Sequence, residues 1–275
     1  MPDLTKEMFD ELVARAAAGI ATEEELEALE PYRAKRAVML ASGFGSRMMP
    51  VTEKRPKPLV RVNGVRIIDT LLDALVAAGI EEIWLVRGYR AQDFDELLEK
   101  YPQIRFIENP DYAATNNISS AVLAADHFEN AYAFESDLYL RNPALITRYQ
   151  WQSSYLGVPV GHTDYWCFST EDGRITDLRK GGDACHHMYG ISYWTAEDGR
   201  RLAEDLPREF AASDETKQRF WDDVPCVICN GRYDIAVREC TFEDIDEIDS
   251  FAELCEIDPS YWDHYYDEGS PSDID

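Results

Sequence analysis

Residues 38–59 read VMLASGFGSRMMPVTEKRPKPL, and this stretch decides the fold. A short apolar run at 37–40 enters a loop with glycines at 43 and 45. Glycine lets backbone N–H groups approach a ligand where a Cβ would clash, and successive amides in such a turn attract anions. Arg47 follows, and a second basic cluster ends in Pro56-Lys57-Pro58-Leu59. Full positive charge therefore reaches the same turn as the amides. The arrangement suits a nucleoside triphosphate.

Working outward, residues 47–66 hold Arg47, Lys54, Arg55, Lys57, Arg61 and Arg66 against Glu53 alone. The whole chain of 275 residues carries a net charge of −26. That balance argues against nucleic acid as a partner, because such binding needs basic surface to release counterions. A basic patch on an acidic protein points instead to a small anionic ligand. Hydrophobic content of 45% and charged content of 29% are ordinary for a soluble globular chain. No apolar run approaches the roughly 20 residues that span a bilayer, so no membrane insertion is expected. The acidic start, MPDLTKEMFDEL, lacks the basic region and apolar core of a signal peptide, and a cytoplasmic location is expected. The six cysteines then default to reduced thiols. Cys226 and Cys229 have CxxC spacing but no second pair, and they sit in an apolar run that reads as a strand. Cys185-His186-His187 could supply metal ligands, yet three adjacent side chains rarely converge on one ion.

Strands and helices alternate from residue 36 onward. Strands are expected at 37–40, 82–86, 104–107 and 131–134, with helices at 67–78, 91–100 and 117–128 between them. This order predicts an α/β fold, with a mixed, mostly parallel central sheet flanked by helices and right-handed connections. Ligands in such sheets lie beyond the carboxyl ends of the strands. The glycine loop follows the first strand and Glu135-Ser136-Asp137 follows the fourth, so both reach one crevice. Residues 4–31 read as an N-terminal helical hairpin with a capping box at Thr22 and Glu25. It is expected to dock on the main domain, which would cover Leu26 and Leu29; a partner-binding appendage is the alternative. Residues 151–240 read as short aromatic-rich antiparallel strands with Asp172-Gly173 as a hairpin turn, then helix at 196–223. Residues 241–275 hold thirteen acidic side chains and no Lys or Arg. Ser250 and Glu253 form a second capping box there, and 267–275 reads as disordered. The organisation is thus an extension at 1–35, a core domain at 36–257 and an acidic tail at 258–275.

Three glycine-loop chemistries compete. A P-loop needs GxxxxGK[ST], which is absent. A dinucleotide fingerprint needs a third glycine after Gly43 and Gly45. The remaining pattern, LxxGxGxR followed by PKxL, resembles the signature of nucleotidyltransferases with a Rossmann-like core. Among these, the chain most resembles bacterial CTP:phosphocholine cytidylyltransferases and their 2-aminoethylphosphonate relatives. Asn116-Asn117 before a helix, Phe134 to Leu140, Trp166, Gly190 to Trp194, Phe220-Trp221-Asp222 and Glu247 to Ser250 match in order. The resemblance covers about 36–257. Ser42 departs from the usual alanine, and 185–187 has no counterpart.

The resemblance implies roles. Leu40, Ala41, Ser42, Gly43, Gly45, Ser46, Asn117 and Ser120 would bind CTP. Arg47 would neutralise the leaving pyrophosphate and Lys57 the α-phosphate, the kind of preorganised charge that dominates phosphoryl-type transfer. Asp137 and Asp249 would hold Mg2+, with Asp246 as substitute for Asp249; this ion takes one or two carboxylates plus phosphate and water. Trp166, Tyr189, Trp221 and Asp222 would bind a cationic acceptor, the rings by cation–π attraction. The expected reaction is CMP transfer from CTP to phosphocholine. Alternatives are 2-aminoethylphosphonate as acceptor, a sugar-1-phosphate nucleotidyltransferase, or a non-catalytic nucleotide-binding module. A homodimer stays open.

Overall fold

The computed structural model describes residues 4–262; the stretch expected to be disordered, 267–275, lies outside the described residues. In chain order the elements are α1 (Lys6–Ala17), α2 (Glu23–Leu29), β1 (Arg36–Ala41), α3 (Val51–Lys54), β2 (Arg61–Val62), β3 (Val65–Arg66), α4 (Ile67–Ala77), β4 (Glu82–Arg87) and β5 (Ile104–Glu108). They continue with α5 (Ile118–Leu123), β6 (Ala131–Glu135), β7 (Leu138–Leu140), β8 (Ser154–Glu171), β9 (Arg174–Trp194), α6 (Ala196–Phe210), β10 (Ala236–Glu239), β11 (Ile245–Glu247) and α7 (Phe251–Ile257).

The main sheet runs β10-β8-β9-β6-β1-β4-β5. β1 is central and pairs in parallel with both β4 and β6. β5 continues the parallel set, while β9 runs antiparallel to β6. The chain first builds outward from β1 through β4 and β5, then returns to place β6 on the other side. This reversal opens a crevice at the carboxyl ends of β1 and β6, where the glycine loop and Asp137 begin. The sheet is thus mixed, and parallel from β6 through β5, as expected.

Residues in β1 alternate between two cores. Ala37 and Met39 join the layer containing α4, and Val38 joins the layer containing α5 and α6. Val38 and Met39, fully buried, each stabilise the fold by about 1.5–3 kcal/mol. A third cluster, including Met48, Val51, Ile67, Ile248 and Leu254, packs the basic loop against the C-terminal segment. It is this packing that brings residue 249 to residue 47.

The N-terminal hairpin forms with both expected turns of chemistry: Thr22 and Glu25 make the capping box, and Gly19 leaves α1 at φ +68°. Phe9 sits 5.1 Å from the Tyr32 ring and 5.3 Å from Trp151, so the hairpin docks on the domain. Leu29 is buried there, but Leu26 remains exposed. The Ser250–Glu253 capping box opens α7. Beyond residue 257, Tyr261 is still buried and donates to the Arg61 carbonyl, so the packed domain reaches into the expected tail.

Several elements differ from expectation. The short strands expected within 151–194 are two long ones, β8 and β9, joined at Asp172-Gly173, where both residues have positive φ. Register shifts along the pair let them bend as an arm over the crevice. Residues 91–99 wind as 3₁₀ rather than α-helix, and the helix expected at 117–128 stops at Leu123. Helix α6 ends at Phe210, so 211–223 is mostly loop. The run carrying Cys226 is a π-helical turn, Val224–Ile228; a short apolar run cannot by its pattern alone be told from buried helix. All six cysteines are free thiols. Among the described residues no helix is long and apolar enough to cross a membrane.

Candidate active site

The crevice beyond β1 and β6 has a volume of about 850 Å³, within the usual range for a small-molecule site. One wall is the glycine loop. Gly45 has φ +61°, and a Cβ there would stand 2.9 Å from Lys57 Cβ. Glycine at 45 is therefore what lets the loop lie on the lysine stem. Thr52 Oγ1 donates to the Gly45 carbonyl at 2.9 Å and fixes this approach. Ser42 Oγ pairs with Ser120 Oγ at 2.7 Å, and Asn109 Nδ2 donates to Ser120 Oγ at 2.9 Å.

Lys57 is 7% exposed. Its ammonium donates to Asp137 Oδ2 at 2.9 Å and Asp249 Oδ1 at 3.0 Å. Burial alone would lower its pKa, but the two carboxylates outweigh that and raise it. Arg47 donates to Asp249 Oδ2 at 2.6 Å while its side chain stays 71% exposed. Residues 47, 57, 137 and 249, separated by up to 202 positions, thus form one charge-paired chain. Burial tends to raise the Asp137 pKa, yet Lys57 holds it below the usual range. Its Oδ1 is buried with no hydrogen-bond partner.

The other end is built by the β8–β9 arm and the loop at 217–223. Trp166, Asp164, Tyr165, Leu178, Lys180, Met188 and Gly190 line it from the arm; Phe220, Asp222 and Asp223 line it from the loop. Trp166 and Phe220 meet edge to face at 5.4 Å. Glu135 lies on the floor against Gly190, where an added Cβ would come within 2.5 Å of Glu135 Oε2. Burial, then Asp222, Asp137 and Glu247, push the Glu135 pKa well up. Burial likewise pushes Asp222 up to about 7, against the hydrogen bond from Tyr155 Oη at 2.6 Å. Glu247 is pushed up to about 8 by burial and by Asp137 and Asp249. Carboxylates outnumber the cations at this end, where Lys180 lines the arm.

The structure brings together Leu40, Ala41, Ser42, Gly43, Gly45, Ser46, Arg47, Lys57, Asn117, Asp137, Trp166, Asp222 and Asp249, all along this crevice. Three expected residues lie elsewhere. Ser120 is fully buried behind Ser42. Tyr189 lies on the face of β9 opposite Met188 and Gly190, buried, with its hydroxyl donating to the Ile245 carbonyl. Trp221 packs into the core against Phe128, Tyr155 and Trp194. Asp246, the substitute ligand, pairs with Arg141 instead. Side chains in a strand alternate, so it is Glu247 that shares a face with the crevice. That spacing of two from Asp249 was a signal available in the sequence, as was the place of Glu135 at the end of the fourth strand and of Phe220 in the matched Phe220-Trp221-Asp222; the contributions of Lys180 and Asp223 had none. Cys185, His186 and His187 do not converge: His186 faces Glu239 at 3.5 Å, and His187 contacts Thr163 at 3.2 Å.

Over 231 residues the chain is 38% identical to the 2-aminoethylphosphonate cytidylyltransferase of Lancefieldella rimae, covering 82% of this chain and 92% of that protein. The chain is a nucleotidyltransferase of the cytidylyltransferase family. The Nucleotidyl transferase family model matches its residues 36–146. This cytidylyltransferase-family enzyme is also 31% identical to the choline-phosphate cytidylyltransferase of Streptococcus pneumoniae, over 78% of this chain and 93% of that one. The solved structure of CTP:phosphocholine cytidylyltransferase from the same organism superposes with a TM-score of 0.76 at 28% identity, covering 83% of this chain and 99% of the other.

Proposed function

We propose that this enzyme transfers CMP from CTP to a small phosphonate or phosphate bearing a primary ammonium group, with 2-aminoethylphosphonate the best fit. The observation that carries this reading is the makeup of the acceptor end. Two rings expected to cage a quaternary ammonium, Tyr189 and Trp221, lie in the core, while Asp164, Glu135, Asp222 and Asp223 line the crevice. A primary ammonium has three N–H donors to spend on such carboxylates. A trimethylammonium has none and depends on aromatic faces. The relative from Lancefieldella rimae, named as a 2-aminoethylphosphonate cytidylyltransferase, supports the same acceptor. Phosphocholine is the second reading, favoured by Trp166 and Phe220 standing edge to face at the crevice wall.

The chemistry follows from the residues. The amides around Gly43 and Gly45 hold the triphosphate, and Arg47, reaching into solvent, takes the β and γ phosphates. An oxygen of the acceptor attacks the α-phosphorus. The bond from that phosphorus to the bridging oxygen breaks, and its electron pair leaves with pyrophosphate. The nucleophile needs no general base, since the second pKa of a phosphate is about 6. Lys57 stabilises the negative charge gathered at the α-phosphate, with its orientation set beforehand by Asp137 and Asp249. The same two carboxylates would hold Mg2+. They converge within reach of one ammonium, and Asp137 Oδ1 is a buried oxygen with no partner. Two carboxylates with phosphate and water oxygens meet what this ion requires. When bound, the metal supplies further neutralisation of phosphate charge.

Pyrophosphate release with CTP tests the proposal, each acceptor being offered in turn. We expect kcat/KM for 2-aminoethylphosphonate to exceed that for phosphocholine by at least about tenfold, a difference of roughly 1.4 kcal/mol. The reverse order would move the assignment to phosphocholine. Turnover with a hexose 1-phosphate alone would overturn the acceptor class, and none with any acceptor would favour a binding module.

A further inference from the structure

Residues 217–223 carry Phe220, Asp222 and Asp223 to the crevice without belonging to any strand. Something else must hold them in register with the nucleotide half. Four hydrogen bonds join this loop to residues 114–117. The Asn116 amide donates to the Lys217 carbonyl at 2.9 Å, and Asn116 Nδ2 to the Gln218 carbonyl at 3.1 Å. Gln218 Nε2 returns to the Ala114 carbonyl at 2.8 Å. The Trp221 amide donates to Asn117 Oδ1 at 2.9 Å. The other end of the Asn117 side chain, Nδ2, donates to Glu135 Oε1 at 3.3 Å.

We propose that Asn117 is a positioning residue for the acceptor, acting by tying the 217–223 loop to the end of β6, and is not a reader of the nucleotide base. Its carboxamide oxygen is engaged by the Trp221 amide and its nitrogen by Glu135. A carboxamide has two donors and one accepting oxygen, and here both ends face protein. Asn116 extends the same strap, since its Oδ1 accepts from the Asn117 amide at 2.7 Å. Glu135 stands two residues before Asp137, so the strap spans from the loop that faces the acceptor to the strand end that faces the triphosphate. Fixing both in one frame is what an in-line attack between two bound anions needs, because small misplacements of reacting groups are costly in rate. The inference rests on the acceptor lying against the 217–223 loop, as proposed above.

Steady-state kinetics on the full chain with Mg2+ and CTP test it. The wild type is first assayed with 2-aminoethylphosphonate and with phosphocholine, and whichever turns over is used for the variants; failure of the acceptor assignment is thereby read separately. Asn117→Ala is expected to raise the acceptor KM by about tenfold and to lower kcat, while the CTP KM stays within about twofold. Gln218→Ala, which lies outside the crevice and removes one bond of the strap, should raise the acceptor KM in the same selective way by about threefold. A rise in the CTP KM with the acceptor KM unchanged would overturn the proposal and put Asn117 on the nucleotide. Equal rises in both would reduce the strap to general structure. Should Asn117→Ala fail to fold, Gln218→Ala decides by the same criteria.

Discussion

At the end of the crevice built by residues 42–60, Arg47 and Lys57 each meet a carboxylate, and one aspartate, Asp249, serves both. At the end built by the β8–β9 arm and the 217–223 loop, Asp164, Asp222 and Asp223 line the wall together with Lys180, and Asp164 also pairs with His162 at 3.3 Å. The first end is balanced internally and would exchange its aspartate partners for phosphate. The second is short of positive charge, and burial holds Asp222 at about 7. On the proposed reading, the contrast prepares one crevice for opposite charges, an anion at one end and a cation at the other. A zwitterionic acceptor lying between them would satisfy both.

The strongest way to break the contrast is at Lys57. Lys57→Ala removes the buried ammonium that holds Asp137 and Asp249 together, and turnover should fall by on the order of 10² or more, the loss seen for one preorganised donor. Near-normal kcat in the pyrophosphate assay would mean the catalytic cation lies elsewhere. A smaller and more selective effect is expected at the far end. Trp166→Ala should raise the acceptor KM by about tenfold, of the order of one desolvated cation–π contact, and leave the CTP KM unchanged. Loss of CTP affinity instead would erase the division into two ends.

The mildest test uses pH. Asp222 has its folded pKa at about 7, above an unfolded value of about 3.9. The folded state therefore holds this proton more tightly, so the group costs nothing below pH about 4 and destabilises progressively as pH rises to about 7. Asp222→Asn removes that cost and keeps an oxygen for the Tyr155 hydroxyl. Its melting temperature, compared with wild type in the absence of substrates, should gain steadily between pH 4 and 7 and level off above. A difference independent of pH would show that the carboxyl is not held neutral, and would weaken the case for a cation-seeking end.

The glycine-loop end was legible because its chemistry is contiguous. A strand, a glycine turn, Arg47 and Lys57 fall within about 20 residues, and Gly43 and Gly45 announce a backbone that must approach a ligand. Local rules also placed the capping boxes at Thr22 and Ser250 and the turn at Asp172-Gly173, since each depends on residues a few positions apart. The end at the β8–β9 arm offered no such unit. Its aromatic residues looked alike in the sequence, and only packing separated Trp166, at the crevice, from Trp221, in the core. The resemblance read Asn117 as a nucleotide contact, yet its side-chain partners lie 18 and 104 positions away.

By itself, the sequence determined the strand–loop–helix order, the parallel half of the sheet and the site beyond β1, because hydrophobic period and turn chemistry act over a few residues. Tertiary structure alone decided that Asp249 closes on Arg47 and Lys57, that Trp221 packs into the core while Trp166 lines the crevice, and that Tyr189 turns to the core. Those outcomes depend on which face of each element meets another element distant in the chain, and burial, not local propensity, makes that choice.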